Sequence, residues 1–163
     1  MQTFRKIYWG SDRSTEVQFE AVTELPPAEM ISACMVVALH EDGVVLSRPK
    51  RGWGLLGGHR EPGESAEECI RREALEEAMA ELGELRLIGR WQTRKVFEST
   101  VNAAYPPVAY QMLYIADVTK LGDFAPQLEI EERMIVPLSK LPELHHNFTD
   151  FEEVYEFIAG YIS

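Results

Sequence analysis

The sequence is short of cysteine, of positive charge and of long apolar runs, and each shortage removes a class of protein. Its two cysteines, Cys34 and Cys69, have no short metal-type spacing and are too few for the disulfide framework of a small secreted domain. They read as buried free thiols. Sixteen Lys and Arg against 27 Asp and Glu give a formal net charge of -11. That balance argues against bulk nucleic acid as a partner, because such binding depends on cations that displace phosphate counterions. No apolar run approaches the roughly 20 residues of a membrane-spanning helix, so no membrane partner is expected. The opening MQTFRKIYWG carries basic residues without the apolar stretch of a secretory signal. The cytoplasm is the expected location.

What is present describes one globular domain. With 163 residues, 45% hydrophobic and 26% charged, the chain can bury one good core but not two, and residues 1–163 read as a single domain. FRKIYWG and EVQFEAV, either side of the turn-like GSDRS, are expected to pair as a hairpin. ISACMVVALH has the length and β-branched content of a buried strand, and EDG turns it into VVLSRP. LRLIGRWQTRKVF, VAYQMLYIADV and MIVPL read as further strands. The chain closes on TDFEEVYEFIAGYI, a packing helix with Phe151, Val154, Tyr155 and Ile158 at helical spacing and an expected capping box of Thr149 with Glu152. Strands before, between and after two helices indicate an α/β or α+β domain with a mixed β-sheet.

The strongest helical pattern runs from Ser65 to Leu82, where Ala66, Ile70, Ala74, Ala78 and Leu82 form an apolar stripe and Gly83 is the expected stop. Glu73 and Glu77 are four residues apart, with Glu76 between them on the same side. Like charges at this spacing repel. Glu77 lies near the apolar stripe and is expected to be partly buried, so a cation is wanted there. Arg71 and Arg72 could supply it on an ordinary solvated helix face. The preceding Gly57, Gly58 and the Glu61-Pro62-Gly63 turn allow another answer: backbone carbonyls of a glycine-rich loop and helix carboxylates converging on a hard cation such as Mg²⁺ or Mn²⁺.

The spacing Gly58, Glu64, then Arg72-Glu73-Ala74-Leu75-Glu76-Glu77 is similar to the Nudix box, and the chain is identified as resembling the Nudix hydrolase family. Trp53 resembles the aromatic that often precedes that box. Two positions depart. Met79 stands where the family has glycine, and Leu56 where proline is usual before the glycine pair. The expected consequence of Met79 is a helix one turn longer, ending at Gly83; that of Leu56 is a less rigid loop.

The resemblance implies a Nudix-like α/β/α sandwich and hydrolysis of a diphosphate linkage in a nucleoside diphosphate derivative. It implies Mg²⁺ or Mn²⁺ held by Glu73, Glu76, Glu77 and the Gly57 carbonyl, with Glu73, Glu76 and Arg72 as the catalytic group. Gly58 and Glu64 are then structural, Glu64 as the partner of Arg72. A nucleoside triphosphate or modified nucleotide is the first expected substrate and a nucleotide sugar such as ADP-ribose the second. TRKVFE, past the box, has neither the Pro nor the Tyr that mark some specificities, so the substrate stays open. The general base is either a box glutamate or one of Glu129, Glu131 and Glu132.

Arg48, Lys50 and Arg51 form a basic cluster suited to substrate phosphate, with a solvated hairpin end as the alternative. Phe97 and Tyr105 are the aromatics best placed to meet a nucleobase. His145 and His146 are expected in an exposed loop. A non-catalytic nucleotide-binding module and an acidic structural protein remain alternatives, and a homodimer is left open.

Overall fold

The computed structural model describes residues 2–126 and 129–162. Its sheet contains β1 (Ile7–Trp9), β2 (Thr15–Glu20), β3 (Ile31–His40), β4 (Gly43–Arg48), β5 (Gly54–His59), β6 (Ala80–Leu82), β7 (Arg86–Lys95), β8 (Val108–Leu121) and β9 (Glu132–Val136). The order across it is β1-β2-β7-β8-β3-β5-β4-β9, with β6 paired to β8. β3 and β8 run parallel, and the other pairings between these strands are antiparallel. The expected N-terminal hairpin and the β3–β4 hairpin both form. In the latter turn Glu41 takes a φ of 54°.

Helix α1 (Ala66–Ala78) covers one face of the sheet, while α2 (Leu141–Leu144) and α3 (Phe148–Ile162) cover the other. Strand alternation feeds both layers: in β5, Leu55 packs with Phe151 and Ile158, and Leu56 packs with Ile70 and Ala74. The result is the expected α/β/α sandwich around a mixed sheet.

Three local expectations are corrected. Helix α1 stops at Ala78 rather than Leu82, because Met79 itself adopts the left-handed conformation, φ 54° and ψ 35°, and donates its N–H back to Leu75. A methionine does here what glycine does elsewhere. Ala80–Leu82 then pair with β8 as a strand, and the Gly83 N–H goes to the Asp117 carbonyl. The glycine pair is not in a loop either. Gly57 and Gly58 belong to β5 and pair with Met35 and Cys34 of β3, so Leu56 sits fully buried in a strand where a proline would lack the strand N–H. Finally, α3 begins at Phe148, which puts Thr149 inside the helix and removes the proposed capping box. Phe151, Val154 and Ile158 are buried as the spacing predicts.

Candidate active site

The N-terminus of α1 is fixed by a reciprocal cap. Glu68 donates its N–H to Ser65 Oγ at 3.0 Å, and Ser65 donates its own to Glu68 Oε1 at 2.9 Å. From that origin, the helical repeat aims Cys69, Ile70 and Ala74 into the core and leaves Glu73, Glu76 and Glu77 along one cleft. The opposite wall is β5. A Cβ on Gly58 would lie 2.5–2.7 Å from the carboxylate of Glu73, so glycine here leaves room for that carboxylate beside the strand. The adjacent Gly57 N–H donates to Glu77 Oε1 at 2.6 Å. Behind them, Cys34 and Cys69 are buried free thiols, and Cys69 Sγ donates to the Gly58 carbonyl at 3.7 Å.

Arg72 organises the charges. Its guanidinium meets Glu64 at 2.6 Å, Glu73 at 2.9 Å and Glu76 at 3.2 Å, and it also donates to the His59 carbonyl. The Arg72 guanidinium and the Glu61 N–H hold the Glu64 carboxyl down at about 2. Arg71 turns away, to Glu67 and to the carbonyls of Leu82 and Gly83. It is therefore not a partner of the three clustered glutamates.

One guanidinium is thus shared among Glu64, Glu73 and Glu76, with Glu61 further off at 3.8 Å, whereas Glu77 accepts from a neutral peptide N–H. Only 8% of Glu77 is exposed. Burial pushes its carboxyl up to about 7, with the Gly57 hydrogen bond opposing and the neighbouring Glu73 charge reinforcing the rise. Glu73 is raised for the same primary reason, against the pull of Arg72. These carboxylates carry more negative charge than their protein partners neutralise.

The cleft has a volume of about 650 Å³, and Arg51, Gly57, Glu129 and the three helix glutamates line it. The oxygens that Glu73, Glu76, Glu77 and the β5 backbone bring to it are of the kind a hard divalent cation prefers. Among the described residues no three His, Cys, Asp or Glu side chains are already drawn together at metal-binding distance. Glu73 and Glu76 instead face Arg72. The chemistry of the donors fits Mg²⁺ or Mn²⁺, and Arg72 is the group with which such an ion competes.

The remaining sequence candidates divide. Arg51 lines the cleft, but Arg48 is engaged by Glu131 at 2.7 Å and by Glu132, and it lies over the Trp53 ring. Of the three outlying acids only Glu129 lines the cleft. Phe97 is 49% exposed and lines none of the clefts that adjoin the site, whereas Tyr105 lines one of them. His145 is not an exposed loop residue: its ring stacks on Phe151 at 4.4 Å.

Three residues that support this geometry escaped sequence reasoning. Arg60 ties the β5–α1 turn to the Ile31 carbonyl at 2.8 Å and to the Glu64 carbonyl at 3.0 Å. Arg133, from β9, donates to the Ala78 carbonyl at the end of α1 at 2.8 Å and to Gly122 at 2.7 Å. Gln111 projects from β8 into the acidic cleft. None belongs to a local pattern that could have marked it.

A glycine strand is thus pressed against an acidic, arginine-braced helix within a sandwich of this topology. The chain belongs to the Nudix hydrolase family: the family's NUDIX domain model matches residues 29–157. The NAD-capped RNA hydrolase NudC of Pseudomonas syringae pv. tomato (strain ATCC BAA-871 / DC3000) is 32% identical over 123 residues, 72% of this chain. The chain spans 40% of the length of that relative. Among solved structures, a mutant of the Bacillus subtilis pyrophosphohydrolase BsRppH superposes with a TM-score of 0.64 at 22% identity, covering 81% of this chain and 77% of that one. The E. coli dihydroneopterin triphosphate pyrophosphohydrolase gives a TM-score of 0.55 at 15% identity over 80% of this chain and 99% of its own. These structural likenesses establish the fold. No described helix is long and apolar enough to cross a membrane.

Proposed function

We propose that the protein is a divalent-metal-dependent pyrophosphohydrolase that cleaves the diphosphate linkage of a nucleoside diphosphate derivative. The observation that carries this reading is the excess of carboxylate over cation in one cleft, with Glu77 buried and Glu73 held 2.9 Å from a guanidinium it shares. A buried anionic cluster of this kind is costly unless a cation completes it.

Glu73, Glu76 and Glu77, with the Gly57 carbonyl, would hold Mg²⁺ or Mn²⁺. When bound, the ion supplies neutralisation of the phosphoryl oxygens and lowers the pKa of water. The chain's own residues do the rest. Arg72, anchored by Glu64, orients Glu73 and Glu76. Arg51 stands in the same cleft as the cation for a substrate phosphate. Glu129 lines it from the segment before β9, where a carboxylate can accept a proton from attacking water. Gly58 keeps the two walls in register by having no side chain.

The test is product release from a panel of nucleoside triphosphates, dinucleotides and nucleotide sugars, with Mg²⁺, with Mn²⁺ and with chelator, alongside Glu77→Gln. Metal-dependent cleavage that the variant loses while keeping its fold supports the proposal. Nucleotide binding without cleavage of any member would leave a binding module in place of an enzyme.

A further inference from the structure

Arg48 is the last residue of β4 and stands in register with Glu132, the first residue of β9. β9 lies at the edge of the sheet beside β4, and the ladder between the two strands ends at this pair. One residue earlier, the Glu131 N–H donates to the Arg48 carbonyl at 3.0 Å. Ile130 and Glu129 come immediately before it and line the acidic cleft. The path of the chain into that cleft is therefore set next to Arg48.

The guanidinium supplies a second hold on the same segment. Nη1 donates to Glu131 Oε2 at 2.7 Å, and Nη2 donates to Glu132 Oε1. The group also lies over the Trp53 ring, 5.8 Å from its centroid, and the Trp53 carbonyl accepts the His146 N–H at 3.0 Å. A planar cation bonded to two neighbouring carboxylates and set against a ring fixes direction as well as distance. The side chains are open to water, Arg48 at 32%, Glu131 at 49% and Glu132 at 56% exposure. Ion pairs this exposed add little to stability. Their effect is on where residues 129–132 run.

We propose that Arg48 is a positioning residue, which places Glu129 in the acidic cleft so that its carboxylate can take the proton of the attacking water. This rests on the pyrophosphohydrolase reading and on Glu129 as its proton acceptor. In the step served, the water oxygen bonds to phosphorus while its proton passes to Glu129. The bridging P–O bond breaks, and its electron pair leaves with the departing phosphate. Arg48 touches neither water nor substrate. Misplacing a reacting group by about 1 Å can cost roughly 100-fold in rate. Without Arg48 the backbone bond from Glu131 remains, so a smaller loss, about tenfold in kcat, is expected.

The experiment measures kcat and KM with Mg²⁺ for GTP, NAD and ADP-ribose in the wild type, in Arg48→Ala, in the double variant Glu131→Gln/Glu132→Gln, and in Glu129→Gln with and without Arg48→Ala. Mn²⁺ affinity and melting temperature are measured on the same chains. Arg48→Ala and the double variant should each lower kcat about tenfold, with KM within about twofold and Mn²⁺ affinity unchanged. In the Glu129→Gln background Arg48→Ala should change nothing further, because two residues acting through one group are not additive. An unchanged kcat in Arg48→Ala, or an equal fall with and without Glu129, overturns the proposal. A raised KM at unchanged kcat also overturns it, since Arg48 would then act on substrate binding. A wild-type rate in Glu129→Gln removes the proton acceptor, and the proposal with it, but leaves the hydrolase reading standing. Absence of metal-dependent cleavage of all three compounds by the wild type overturns both. The double variant removes the contact from the opposite side, so a misfolded Arg48→Ala does not decide the outcome.

Discussion

Acidification should destabilise this protein through His145, and the size of the effect follows from where the ring sits. It is sandwiched between Phe151, parallel to within 2° at 4.4 Å, and His146 at 5.0 Å. Burial depresses its pKa to about 4 from an ordinary 6.5, with His146 and Arg51 adding to the fall and Asn147 opposing it. Because the folded value is the lower one, the unfolded chain takes up the proton first. The full contribution of neutral His145 is present above about pH 6.5 and is lost progressively as the pH falls toward 4. One pH unit below the unfolded value the loss is about 1.4 kcal/mol, and across the whole window it approaches roughly 3 kcal/mol. Partial exposure of the ring makes these upper bounds. Urea unfolding at pH 7.5 and 5.5 should show about 1 kcal/mol of acid destabilisation in the wild type that His145→Phe does not share, other titrating groups cancelling in the comparison. Equal pH dependence in both chains, or an imidazole that titrates near 6.5 by NMR, would refute the burial argument.

Other substitutions probe the frame of the site. Ser65→Ala removes one half of the reciprocal cap on α1 and should cost about 1 kcal/mol in chemical denaturation, with little effect if the cap contributes nothing. At Met79 the left-handed backbone favours glycine and penalises β-branching. Met79→Gly should therefore melt close to the wild type, the relief of strain being offset by the greater conformational entropy that glycine gives the unfolded chain. Met79→Val should melt clearly lower, and the reverse order would contradict the cap assignment. Gly58→Ala should fold but displace the Glu73 carboxylate, and so weaken Mn²⁺ binding by about tenfold or more while leaving thermal stability within a few degrees. Unchanged Mn²⁺ affinity would show that the close approach of β5 to α1 is not needed.

Much of this was legible in the chain because it is local. The β-branched run of β3, the four-residue stripe of α1 and the glutamates beside it are periodic signals, and burial of Glu77 follows from its place next to Ile70 and Ala74. Gly58, Glu64 and Arg72 also sit where their spacing suggested, with Glu64 and Arg72 in direct contact. What was not legible depends on distant partners. Arg60 reaches back to Ile31, and Arg133 reaches Ala78 across 55 positions; neither leaves a local pattern. The end of α1 leaves no such signal, because a methionine in the left-handed region violates the residue preference by which helix stops are read. Gly57 and Gly58 looked like a loop because glycine is a poor strand former. They are nonetheless in β5, because β3 supplies the pairing and Glu73 needs the space. Arg48 looked free for phosphate until β9 brought Glu131 and Glu132 against it.

The central claim is that the acidic face of α1 is completed by a divalent cation. The most direct measurement is Mn²⁺ binding to the purified chain by electron paramagnetic resonance, in the wild type and in Glu73→Gln and Glu77→Gln. The account predicts Mn²⁺ bound at the wild-type face, displaced by Mg²⁺, and weakened in each variant while the fold persists. Affinity unchanged by either substitution, or no binding by the wild type, would contradict it.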